Sequence, residues 1–69
     1  MHTRHYEITV HGRLSAALVG AFEGLSATPA ATGTVIRGEI PDQAALFGVL
    51  ERIEALGLEL LEVRSAPAP

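Results

Sequence analysis

Ser26-Ala27-Thr28-Pro29-Ala30-Ala31-Thr32-Gly33-Thr34-Val35-Ile36-Arg37-Gly38-Glu39-Ile40 is the stretch that decides the fold of this chain. Thr32-Gly33 is a turn signal, because glycine tolerates the backbone angles that tight turns demand. After it, Ile36, Gly38 and Ile40 fall on one side of an extended segment and Val35, Arg37 and Glu39 on the other. That is the two-residue period of a strand. Before the turn, Pro29 has no N–H to donate and its neighbours are small, so the first arm of this hairpin is expected to be a weak edge strand.

Upstream of the hairpin, Tyr6, Ile8 and Val10 alternate with Glu7, Thr9 and His11, which predicts a first strand over residues 4 to 11. Gly12 and Arg13 turn the chain, and Ser15 is placed to cap a helix whose apolar positions are Leu18, Phe22 and Leu25. Leu14 and Val19 suit a hydrophobic staple at its start, and Gly24 suits its end. Downstream, Asp42 follows Pro41 as an N-cap, and Leu46, Val49, Leu50, Ile53 and Leu56 trace a helical stripe up to Gly57. A last strand is expected from Leu58 to Ser65, with Leu61 and Val63 toward the helices and Leu60, Glu62 and Arg64 away from them, although the run Leu58 to Leu61 breaks strict alternation and leaves the register there open.

Residues 1–65 are thus expected to form a single α+β domain, and residues 66–69, Ala-Pro-Ala-Pro, a flexible C-terminal tail. Two helices separated by a hairpin match the split β-α-β unit of ferredoxin-like folds. Right-handed crossovers would place the first and third strands at the centre. The expected fold class is α+β, a ferredoxin-like β-α-β-β-α-β sandwich with a four-stranded antiparallel sheet and both helices on one face.

Composition narrows what such a domain does. A chain of 69 residues buries only a thin core, roughly 60% of its unfolded surface, and it has no cysteine with which to staple itself. A metal, a partner subunit or unusually regular packing are the remaining remedies. A net charge of −3, with five arginines and no lysine, provides no basic patch, so nucleic acid is not an expected partner. No apolar stretch approaches the roughly 20 residues that span a bilayer. Met1-His2-Thr3-Arg4-His5 leads straight into the first strand without an apolar leader core, so a cytoplasmic location is expected.

The face away from the helices is expected to carry His5, Glu7, Thr9 and His11 with Val35, Arg37, Glu39, Leu60, Glu62 and Arg64. As a surface it reads as solvated cross-strand ion pairs. As an interface, this face or the edge beside the last strand would pair with a second copy through Glu7, Thr9, Val35, Arg37, Leu60, Glu62 and Arg64, together with Phe47, which lies off the apolar stripe of the second helix. No metal or other cofactor is expected. His5 and His11 share a face but stand about 20 Å apart at roughly 3.3 Å per residue, and His2 has no carboxylate cluster to join. No catalytic residue is expected either: Ser15 is explained as a cap, Glu51 and Glu54 as a solvated helix pair, and Gly20, Gly24 and Gly33 match no phosphate loop.

Val10-His11-Gly12-Arg13-Leu14 resembles the start of the acylphosphatase signature, a family with this element order. The resemblance implies the fold but not the activity. Ser15-Ala16-Ala17-Leu18-Val19 lacks the phosphate-binding arginine of that signature, and the chain has no asparagine to position a water. The same turn resembles that of ACT-type regulatory domains, whose glycine between strand 1 and helix 1 lets a small ligand approach the backbone. That likeness implies ligand-binding roles for Gly12 and Arg13. The function expected first is a small self-associating interaction module, a homodimer or a partner of another protein, without chemistry of its own. An ACT-like sensor of a small polar metabolite is the alternative, and a dimeric α+β enzyme ranks third.

Overall fold

A computed structural model of the chain describes residues 4–20, 22 and 24–67. Its elements are β1 (Arg4–His11), α1 (Ala16–Val19), β2 (Ser26–Ala30), β3 (Gly33–Ile40), α2 (Gln43–Ala55) and β4 (Leu60–Pro67). The strands form one four-stranded sheet in the order β2-β3-β1-β4, with every neighbouring pair antiparallel. The chain is a small α+β domain in which β1 and β3 are central and β2 and β4 are the edges. Its hairpin closes through Ala31 and Thr32, with Ala30 opposite Gly33.

Residues directly opposite in an antiparallel pair point to the same side of the sheet. Ile8 lies opposite Ile36 and Val10 opposite Thr34, and all four are buried, which marks the core side. Ile40, Phe22 and Ile53 complete the buried cluster, and Tyr6, Leu14, Leu25, Leu46, Val49, Leu50 and Leu58 pack around it half-buried. The core is narrow, as the length of the chain required.

Both ends of α2 are closed by specific hydrogen bonds. At the start, the Ala45 N–H donates to Asp42 Oδ1 at 2.8 Å, satisfying one of the donors that a helix N-terminus leaves open. At the end, Leu58 N–H donates to the Ile53 carbonyl at 3.1 Å and Gly57 N–H to the Glu54 carbonyl at 3.0 Å. This is a Schellman motif, and it places Gly57 at φ 75°, where a side chain would be strained.

Two expectations are corrected. The first concerns α1, which is a single turn rather than a helix running toward Gly24. Ser15 does cap it, its Oγ accepting the Leu18 N–H at 3.3 Å. Beyond Val19, tighter turns take over: Phe22 N–H donates to the Val19 carbonyl and Leu25 N–H to the Phe22 carbonyl, both at 3.0 Å. Gly20 and Gly24 each disfavour helix by about 0.5–1 kcal/mol, and the broken path still seats Phe22 in the core.

The second concerns β4, which starts at Leu60 rather than Leu58 and continues to Pro67 opposite Arg4. Residues 66 and 67 of the expected tail therefore belong to the sheet. The last two residues of that tail, and His2, lie outside the described residues. Within β4 the register shifts: Thr9 pairs with Glu62 but Val10 pairs with Leu60, leaving Leu61 as the extra residue of a β-bulge. The bulge moves Leu60 to the side of Val10, the core side, and not to the outer face where strict alternation would put it. Val63, opposite Ile8, stays on the core side, and Glu62 and Arg64 stay on the outer face.

Candidate functional site

Two surfaces gather the residues that the sequence singled out. The first is the outer face of the sheet. Glu7 stands opposite Arg37 on one side and Arg64 on the other, and Thr9 stands opposite Val35 and Glu62. Six of the expected interface residues thus form two neighbouring rows across β3, β1 and β4. Arg37 Nη1 lies 3.8 Å from Glu7 Oε2, with both side chains about two-fifths exposed, so solvent weakens the pair. The Arg37 Nε–H is buried beside it without a hydrogen-bond partner among the described residues. A shallow depression of about 240 Å³ lies between His5, Glu7, Arg64 and Ser65.

The second surface is on the core side, where α2 meets the edge strand. Phe47, Leu50, Ile53, Leu58 and Leu60 line an open groove of about 750 Å³, with Glu51 and Glu54 also on its walls. Phe47 is 54% exposed and Leu60 44%. Leu56, Leu61 and Val63 are also exposed, so the large exposed hydrophobic side chains among the described residues all belong to α2, its C-cap or β4. Exposed large apolar side chains gathered on two elements of a small domain, with Phe47 and Leu60 sharing one groove, mark a candidate contact surface. The expected grouping of Phe47 and Leu60 with the charged rows therefore splits, because the bulge places Leu60 beside Phe47 in the groove and not among the charges.

Leu56, Leu61 and Val63 were not singled out from the sequence as interface residues. A signal was available in Leu58-Glu59-Leu60-Leu61, where alternation breaks and an extra residue in the strand is one way to restore it.

Gly12 and Arg13 occupy a third place, the turn after β1. Gly12 has φ 88°, the left-handed region that glycine enters at no steric penalty. Thr34 Oγ1 donates to the Gly12 carbonyl at 2.8 Å, fixing the turn against β3. His11, Gly12 and Arg13 face Ala30, Ala31, Thr32 and Gly33 across a shallow pocket of about 220 Å³. Among the described residues no three His, Asp or Glu side chains gather to hold a metal, and no helix is long and apolar enough to cross a membrane.

An antiparallel four-stranded sheet and two helices define the molecule as a small α+β domain. A family model described as a domain of unknown function (DUF8691) matches residues 5–64, and the chain belongs to that family. Comparison with curated proteins and comparison with solved structures each found no match.

Proposed function

We propose that this domain is a small cytoplasmic interaction module that self-associates as a dimer and has no chemistry of its own. The observation that carries this reading is the exposure of Phe47, Leu56, Leu60, Leu61 and Val63 on α2, its C-cap and β4, with Phe47 and Leu60 in one groove, in a domain with a narrow core. A second copy laid against this surface would remove apolar side chains from water at about 25 cal/mol per Å² and supplement what the core contributes. The β2-β3-β1-β4 order supports a ferredoxin-like sandwich, because it places β1 and β3 at the centre and leaves β2 and β4 as edges. Size-exclusion chromatography with light scattering over a dilution series tests the reading. A dimer that dissociates on dilution is expected, with Phe47→Glu shifting the equilibrium to monomer. A monomer at every concentration would remove the motive for the proposal.

The pocket between His11, Arg13 and the β2–β3 turn favours a second reading, an ACT-like site for a small polar metabolite. A thermal-shift screen of amino acids and nucleotides should then yield a stabiliser whose effect Arg13→Ala abolishes. No hit across such a library would count against it.

A further inference from the structure

We propose that two copies join edge to edge along β4, antiparallel about a two-fold axis at Val63, so that Glu62 of each copy stands opposite Arg64 of the other. The proposal deepens the self-association reading and rests on it.

The sheet has two edges, and they are not equivalent. β2 is five residues long and contains Pro29, which cannot donate to a ladder. Short, proline-bearing edges are blunted against pairing. β4 runs from Leu60 to Pro67 with one side unpaired, and it exposes Leu60, Leu61 and Val63. Its bulge at Leu61 and its proline, Pro67, stand toward the two ends, so residues 62–66 are the edge left open.

Symmetry restricts the register. Opposed residues of an antiparallel pair share a side of the sheet, so two identical strands related by a two-fold axis must set one residue against its own copy. An axis at Glu62 opposes two carboxylates and one at Arg64 opposes two guanidinium groups; like charges directly opposite are destabilising. An axis at Leu61 puts the bulge in the middle of the ladder, and one at Ser65 brings in Pro67, which has no N–H. An axis at Val63 sets Val63 on Val63 on the core side and forms two Glu62–Arg64 pairs on the outer side.

The intrachain register supports the same choice. Arg37 already faces Glu7, and Glu7 faces Arg64, so the outer row of one copy reads positive, negative, positive. Glu62 of the second copy continues it with a negative charge. The row alternates in sign through the interface, and by symmetry it does so twice.

The test uses two full-length variants, Glu62→Arg and Arg64→Glu, alone and mixed, with folding checked by far-UV circular dichroism. Each variant alone turns both interchain pairs from attractive to repulsive and should weaken dimerisation about tenfold or more. In the mixture every interchain pair is attractive again, so a heterodimer should form where neither homodimer does. As the chain has no cysteine, Val63→Cys provides a second readout. A short thiol-reactive linker should trap it as a dimer, and should not trap Thr28→Cys on the opposite edge. If the unmodified domain is dimeric but both charge variants dimerise undiminished, or Val63→Cys resists cross-linking, this register is overturned and self-association stands. If the unmodified domain is monomeric throughout, both fall.

Discussion

Ile53→Ala should remove a large part of the stability of this domain. Ile53 is the buried residue of α2, 2% exposed, and packs among Ile8, Val10, Phe22, Ile36 and Ile40. The substitution deletes about three methylene equivalents at ~0.8 kcal/mol each, and the cavity left behind raises the loss to about 3–4 kcal/mol. A chain of 69 residues has a total of only about 3–10 kcal/mol. At about 4–8 °C per kcal/mol, the melting temperature should fall by roughly 12–32 °C. Urea titration followed by circular dichroism, at the lowest workable protein concentration, isolates the fold from association. Phe47→Ala on the same helix is the comparison: at 54% exposure it should change monomer stability by less than about 1 kcal/mol. Equal losses from the two variants would refute the placement of α2 on the sheet.

Asp42→Ala should cost about 1 kcal/mol, because the Ala45 N–H loses its acceptor, and Asp42→Asn should restore most of it in the same titration. Thr34→Val removes the 2.8 Å hydrogen bond to the Gly12 carbonyl at a buried position; a loss of about 1 kcal/mol and faster amide exchange around residues 11–13 are expected. Arg37→Met should leave monomer stability within about 0.5 kcal/mol of the parent, because the 3.8 Å ion pair is half-solvated and the variant also removes a buried N–H that has no partner among the described residues. A loss of 2 kcal/mol or more, on the order of a buried pair, would contradict that account.

The hairpin, β1 and α2 were legible in the sequence because each rests on local signals that agree. Thr32-Gly33 marks the turn, Tyr6 to Val10 keep strict alternation, and Asp42 and Gly57 bracket an unbroken apolar stripe. The length of α1 was not legible, since Leu18, Phe22 and Leu25 keep helical spacing while Gly20 and Gly24 oppose helix. Packing settles that contest: Phe22 reaches the core from successive tight turns as well as it would from a helix. The charged rows of the outer face follow from alternation alone, so Glu7, Thr9, Arg37, Glu62 and Arg64 were legible. The groove was not. It depends on the bulge at Leu61, where the register on β1 decides which neighbour of an apolar doublet turns inward.

Amide hydrogen exchange over a wide range of protein concentrations addresses the central claim, the proposal that a second copy covers β4. Edge strands expose unpaired N–H groups that exchange readily until another chain pairs with them. Alternate N–H groups of residues 60–66, those pointing away from β1, should slow as concentration rises while residues 26–30, on the other edge, exchange at one rate throughout. Exchange in β4 that ignores concentration, or slowing confined to β2, would contradict the account.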